Sequence, residues 1–227
     1  METTTGGTDI VIVKLDNDGN TIWERQNSDI NTITTDFNAR IDIDNSYVYL
    51  AYESRGVINT STVSSYRDII IVKLDQQNGN VIWRKQDSNW NTTITDAYPD
   101  IKVYNDNIYF TYFTQGTLES QTGGTDNVIV KLDKDGNIIW AKQNNTFNTI
   151  TTDRYPRIDV FGDFLYLVYE STGKVGSSNT FSYTDLILVK FNVTDGSVIW
   201  ANKDPSWNTS LHDLYPNIEI YNDNIYL

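Results

Sequence analysis

Four aspartates stand at nearly even intervals along the chain: Asp36, Asp96, Asp153 and Asp213, separated by 60, 57 and 60 residues. Carboxylates that recur in this way could converge on a hard cation such as Ca2+, which wants several oxygen ligands. The competing role is architectural. Each carboxylate would cap backbone N–H groups or pair with a neighbouring repeat, and four uncompensated carboxylates facing one another would repel. A second recurring set is a large apolar residue followed by Asn and Thr: Ile30-Asn31-Thr32, Trp90-Asn91-Thr92, Phe147-Asn148-Thr149 and Trp207-Asn208-Thr209. Aromatic faces stack on sugar rings and an amide fixes hydroxyls, so Trp90, Asn91, Phe147, Asn148, Trp207 and Asn208 are candidate ligand-binding residues. Packing between repeats is the alternative use of the same side chains.

Other chemistry is thinner. The turns Asp16-Asn17-Asp18-Gly19-Asn20 and Asp133-Lys134-Asp135-Gly136-Asn137 begin like a calcium loop, but no Glu closes twelve residues, and a tight hairpin turn is the better reading. Lys14, Lys73, Lys131 and Lys190 interrupt apolar runs and must reach solvent or a carboxylate, with the recurring aspartates as expected partners. His212, the one histidine, fills a slot held by Thr35, Thr95 and Thr152 in the other repeats, which is how a surface substitution looks. No nucleophile elbow, phosphate loop or zinc-protease motif is present. Paired carboxylates for glycoside hydrolysis stay open, because acids are abundant and their separations are not legible in sequence.

Composition narrows the classes. The 227 residues contain no Cys, so disulfides, thiolate metal sites and a Cys nucleophile are excluded. The net charge is −13 with no basic patch, which makes nucleic acid and anionic membrane surfaces poor partners. No apolar run approaches the ~18 residues of a membrane helix, and Met1–Gly7 shows neither the basic nor the apolar region of a signal peptide. The compartment is not decided by these features. Aromatic residues at 13% supply core-forming mass despite modest overall hydrophobicity.

The elements that must position these residues are set by an internal repeat. DIVIVKLDNDGNTIW from Asp9 returns as DIIIVKLDQQNGNVIW from Asp68, DNVIVKLDKDGNIIW from Asp126 and DLILVKFNVTDGSVIW from Asp185. The unit is about 58 residues, giving repeats of approximately 1–59, 60–117, 118–176 and 177–227 in one domain. A shift of 117 residues relates GGTD at Gly6 to GGTD at Gly123, so a two-unit block was duplicated. Each unit reads as four short strands with Asx-Gly turns, for example 127–133, 138–143, 156–160 and 164–170 in the third. Pro99, Pro156 and Pro216 fall at expected strand starts.

Four strands per unit, repeated radially, indicate an all-β fold, a β-propeller. The stretch IDVFGDFLYLVYESTG…TDLILVKFNVTDGSVIW resembles a pyrroloquinoline-quinone-type propeller blade and equally a bacterial β-propeller repeat. That resemblance covers nearly the whole chain and specifies the blade, not a chemistry. It implies that the PRIDV-type strand is innermost. The chain then opens with the outer two strands of a blade (9–16 and 20–26), runs through three complete blades and ends with two inner strands (215–221 and 224–227). Two readings follow. Either the N-terminal hairpin completes the C-terminal blade in a ring of four four-stranded blades, or the chain is part of a larger propeller. The expected function is a non-enzymatic scaffold binding a protein or glycan through its long-loop face (53–67, 114–125, 171–184), or a structural component that self-associates through split-blade edges. The different-class alternative is a glycosidase-like hydrolase or lyase using Asp96 or Asp213. No cofactor beyond Ca2+ is indicated, and ligands for a quinone cofactor are not identifiable.

Overall fold

The computed structural model describes residues 6–58, 66–120, 122–174 and 183–227. Parts of the long loops named above, 59–65, 121 and 175–182, and the first five residues lie outside the described residues. The chain is all β among the described residues. Its strands are β1 (Ile12–Leu15), β2 (Thr21–Arg25), β3 (Asp36–Ile43), β4 (Tyr47–Ser54), β5 (Asp68–Asp75), β6 (Val81–Lys85), β7 (Asp96–Tyr104), β8 (Asn107–Thr114), β9 (Asp126–Asp133) and β10 (Ile138–Lys142). They continue as β11 (Asp153–Phe161), β12 (Phe164–Ser171), β13 (Asp185–Asn192), β14 (Val198–Asn202), β15 (Glu219–Tyr221) and β16 (Asn224–Tyr226). No helix among the described residues is long and apolar enough to cross a membrane.

The architecture is a β-propeller. Three antiparallel four-stranded blades, β3–β6, β7–β10 and β11–β14, are flanked by the two-stranded sheets β1–β2 and β15–β16. First strands of successive blades, β3, β7, β11 and β15, touch in sequence, so they form the inner side. The strand phase expected from sequence is therefore the observed one. Middle strands such as β5 and β9 are buried along nearly their whole length, which explains why they read as continuous apolar runs rather than alternating ones.

The core lies between blades. Tyr109 and Ile129 of one blade meet Leu167, Tyr169 and Val189 of the next, and Tyr49, Ile69 and Ile71 likewise meet Phe110, Tyr112 and Val130. The N-terminal hairpin packs Ile12 and Trp23 onto Val48, Leu50 and Val72, while Ile218, Ile220 and Ile225 pack onto Tyr166, Val168 and Leu188. Each terminal hairpin is thus docked on a complete blade, but no strand pairing joins β16 to β1. The expected seam of a fourth blade differs in that respect. β16 has three residues and β1 four, so such a seam offers few ladder hydrogen bonds, and it must close the longest loop in the chain. Val13, Leu15, Tyr226 and Leu227 stay 45%, 51%, 55% and 51% exposed, whereas their repeat equivalents Val130, Leu132, Tyr109 and Phe110 are buried.

Pro99 and Pro156 do not start strands. They lie inside β7 and β11, where the register slips between Ala97 and Asp100 and between Arg154 and Arg157. An inner strand has a free edge, so a bulge there tolerates the missing N–H. The bulges in β3, β7 and β11 hold Asn38, Tyr98 and Tyr155 at φ of 55°, 55° and 51°, and Tyr215, ahead of β15, has the same left-handed backbone at 56°. Left-handed backbone at a Tyr is uncommon, and the recurring motif Asp-x-Tyr-Pro marks it in three of the four repeats.

Candidate functional site

The recurring aspartates belong to the backbone. The carboxylates of Asp36, Asp96, Asp153 and Asp213 accept the N–H of Thr32, Thr92, Thr149 and Thr209 at 2.7, 2.7, 2.7 and 2.8 Å. The hydroxyls of the same threonines donate to the other carboxylate oxygen at 3.0, 3.0, 2.9 and 3.1 Å. Those of Thr32, Thr92 and Thr149 also meet Ser54, Thr114 and Ser171. Three of the four carboxylates are fully buried and Asp213 is half-buried. They do not converge: among the described residues no three His, Cys, Asp or Glu side chains form a metal-holding group. Of the two uses weighed from the sequence, the carboxylates take the architectural one, as four separate loop clasps. Burial pushes the Asp96 carboxyl up to about 7 and that of Asp153 to about 6, because only neutral donors offset the loss of solvent.

The aromatic–Asn pairs are also drawn into the fold. Asn31, Asn91, Asn148 and Asn208 accept the N–H of Ile10, Ile69, Asn127 and Leu186 at 2.7, 2.6, 2.7 and 2.7 Å. Their amide nitrogens donate back to the carbonyls of the same four residues at 2.9, 2.9, 2.9 and 3.0 Å. Each Asn therefore clasps the neighbouring blade as a strand would. Trp90 and Phe147 are buried between blades, and Trp207 is half-buried against the Tyr166–Leu188 cluster. Tyr52, Tyr112 and Tyr169 donate their hydroxyls to the carbonyls of Ile30, Trp90 and Phe147. A buried Trp90 presents no face to a sugar. Asp16 and Asp133 form Asx turns, each bonded to an Asn four residues on, which holds both carboxyls below the usual range.

The lysines find partners other than the expected aspartates. Lys14, Lys73 and Lys131 donate to the carbonyls of Gln76, Lys134 and Val193 in the outer turn of the next blade, at 2.9, 2.9 and 2.8 Å. Lys73, Lys131 and Lys190 also lie over Tyr49, Tyr109 and Tyr166 at 5.4, 5.3 and 5.3 Å from the ring centre. His212 Nδ1 accepts the N–H of Thr184 and stays exposed.

On the inner side the two-unit period becomes physical. Arg40, Asp100 and Arg157 occupy equivalent positions, as do Asp42, Lys102, Asp159 and Glu219. Charge sign alternates from one complete blade to the next at both levels. Lys102 Nζ sits 3.3 Å from Asp159 and 3.9 Å from Glu219, and Asp42 accepts the N–H of Val103 at 2.6 Å. A single-unit repeat would place like charges side by side.

A cavity of about 490 Å3 opens to solvent on the loop face, lined by Arg55, Arg67, Arg154, Tyr98, Phe113 and Tyr155 among others. Sequence reading missed it. The inner-strand bulges turn the two tyrosines into it, and they meet edge to face at 4.7 Å. Tyr98 stacks on Phe113 at 5.5 Å. Arg67 is oriented by Glu53 at 3.4 Å and by the Phe37 ring at 4.7 Å. Burial raises the Glu53 carboxyl, with Arg67 opposing the shift. On the same loop face each inter-blade loop holds out one aliphatic side chain: Ile33, Ile94, Ile150 and Leu211 are 81%, 39%, 85% and 64% exposed. Beneath these loops Gly56, Gly116 and Gly173 lie so close to Thr32, Thr92 and Thr149 that a Cβ would meet the threonine oxygens at 2.3, 2.3 and 2.2 Å.

Blade pattern and inner-strand geometry define a propeller of the pyrroloquinoline-quinone repeat type. Residues 8–214 match the family profile PQQ_2, described as outer membrane protein assembly factor BamB, and the chain belongs to that family. No curated protein matches the sequence. A thermostable family-43 glycoside hydrolase is similar in structure, with TM-score 0.50 and 10% identity over 80% of this chain and 60% of that one. The quinohemoprotein alcohol dehydrogenase of Comamonas testosteroni has TM-score 0.49 and 12% identity over 87% of this chain and 34% of that one. The α-L-arabinofuranosidase of Lactobacillus brevis has TM-score 0.45 and 8% identity over 89% and 67%. At 10% identity the likeness to the glycoside hydrolase shows the fold alone. The chain spans only about a third of the dehydrogenase.

Proposed function

We propose that the protein is a non-enzymatic propeller scaffold that binds a protein partner through its loop face. The observation that carries this reading is the ring of outward aliphatic residues, Ile33, Ile94, Ile150 and Leu211, one per inter-blade loop. Apolar side chains held out on rigid clasps, around a polar centre, are the anatomy of a protein-docking surface. The loops beneath them are over-determined by the Asp–Thr and Asn–backbone bonds, so docking loses little conformational freedom. Membership in a family described by an assembly factor points the same way. The hydrolase alternative lacks support from Asp96, whose carboxylate is buried and bonded to Thr92.

The test is a variant carrying Ile33→Ser, Ile94→Ser, Ile150→Ser and Leu211→Ser. Exposed positions tolerate such changes. Quantitative cross-linking in the source cells, native against variant, should show a defined partner lost with the fold intact by circular dichroism. A partner retained at full yield would refute the assignment of this face.

A further inference from the structure

We propose that the arginine-lined cavity is a receptor for an acidic sugar, a hexuronate residue bearing one carboxylate. This does not rest on the protein-docking reading, because a different set of residues carries it. Three of the chain's seven arginines, Arg55, Arg67 and Arg154, line one cavity in a protein of net charge −13. Guanidinium groups match a carboxylate by paired N–H donors, and each such bond is stronger than a neutral one. Arg67 lies over Phe37 at 4.7 Å and is already paired with buried Glu53 at 3.4 Å, and Arg154 lies over Phe113 at 6.0 Å, so Arg55 and Arg154 are the pair that meets the incoming carboxylate.

The rest of the lining selects what the carboxylate is attached to. Half-buried Tyr98 and Tyr155 line it with aromatic rings backed by buried Phe113, and Thr95 and Gln115 supply polar side chains beside them. A flat aromatic acid would meet the rings but brings no ring hydroxyls to the edge formed by Thr95 and Gln115. A sugar ring uses both, stacking its C–H face on a tyrosine and giving hydroxyls to the polar edge. At about 490 Å3 the cavity lies within the ~300–1,000 Å3 of ordinary small-molecule sites. The negative field of the whole chain disfavours a densely charged polyanion and leaves a single carboxylate held locally.

The backbone adds a usable handle. Tyr98 sits at φ 55°, and its equivalent in the first blade is Asn38 at the same φ. Asparagine tolerates that conformation better than other non-glycine residues, so Tyr98→Asn removes the ring and keeps the bulge. Arg55 and Arg154 are exposed, so Arg55→Gln and Arg154→Gln remove charge without opening the core.

The experiment is titration calorimetry of the full chain with methyl β-glucuronide. Methyl β-glucoside, 4-hydroxybenzoate and inorganic phosphate serve as comparison probes, and Lys142→Gln on the outer strand β10 as the control variant. The glucuronide should bind at least about tenfold more tightly than the glucoside. Arg55→Gln and Arg154→Gln should each weaken it by about tenfold, and Tyr98→Asn by about threefold or more. Lys142→Gln should leave it within about twofold. Equal binding of glucuronide and glucoside overturns the proposal, as does glucuronide binding unchanged in the Arg55→Gln/Arg154→Gln double variant. Phosphate or 4-hydroxybenzoate binding as tightly as the glucuronide also overturns it, since the site would then be a general anion or aromatic-acid site. If Tyr98→Asn does not fold, the arginine variants decide the matter alone.

Discussion

Replacing Asp96 by asparagine should flatten the dependence of stability on pH. The Asp96 carboxyl is fully buried and accepts from Thr92 N–H and the Thr92 hydroxyl, with no cation in contact among the described residues. Desolvation is the largest cause of its rise to about 7, and the nearby Asp68 carboxylate adds to it. In the unfolded chain the same group titrates near 3.9. Between these values the folded protein holds a proton that the unfolded chain has released, so stability falls as pH rises from about 4 through 7. Three pH units of difference correspond to about 4 kcal/mol at most. Asp153, raised to about 6, adds a smaller loss over the lower part of the window, and buried Glu53 shifts in the same direction. In Asp96→Asn the amide oxygen keeps the Thr92 N–H, and the hydroxyls turn to accept from the amide nitrogen. Urea unfolding followed by tryptophan fluorescence, from pH 4 to pH 8, measures the effect. Native protein should lose stability across that range, and Asp96→Asn should lose less, by up to about 4 kcal/mol. Parallel curves for the two proteins would refute the reasoning, because the proton uptake would then lie elsewhere.

Other perturbations probe the clasps. Tyr112→Phe leaves the Trp90 carbonyl without its hydroxyl donor and should cost about 1–3 kcal/mol in a urea melt. Lys203 and Asp185 form a buried ion pair at 2.8 Å, where other blades place Gln86 beside Asp68 and Gln143 beside Asp126. Lys203→Met should therefore destabilise by roughly 3–5 kcal/mol, while Lys203→Gln costs far less, and equal losses would contradict the account. Extending the register of β8 on β9 to the unpaired edges sets Leu227 opposite Val13 and Tyr226 opposite Lys14. Val13→Cys with Leu227→Cys, in a chain otherwise free of cysteine, should then form a disulfide on mild oxidation. A fast-migrating monomer on a non-reducing gel reports closure within one chain, linked dimers report self-association, and free thiols exclude both.

Repeat, strand phase and blade type were legible because each rests on local chemistry. Alternation and Asx-Gly turns act within a few residues, and a period of about 58 survives as spacing between Asp36, Asp96, Asp153 and Asp213. The roles of those residues were not legible. A carboxylate that caps Thr92 N–H and one that binds Ca2+ have the same spelling, and the difference is whether neighbouring carboxylates point together. Trp90 has the composition of a sugar platform and the position of a wedge between blades. The lysines illustrate the same limit. Their partners are carbonyls 61 or 62 residues away, invisible to any reading of side-chain types.

The cavity shows where tertiary structure took over. Arg55, Arg67 and Arg154 are spread over a hundred residues and two blades, and no motif ties them. The Asp-x-Tyr-Pro recurrence was a signal for the tyrosines, since a bulky residue before Pro inside a strand calls for a bulge. By itself the sequence determined an acidic, cysteine-free propeller with its strands in phase, because backbone pairing and burial depend on patterns that repeat along the chain. Only the packed blades decided which polar groups clasp the backbone and which face solvent. That depends on the direction of side chains across blade interfaces, and direction is a property of the assembled sheets.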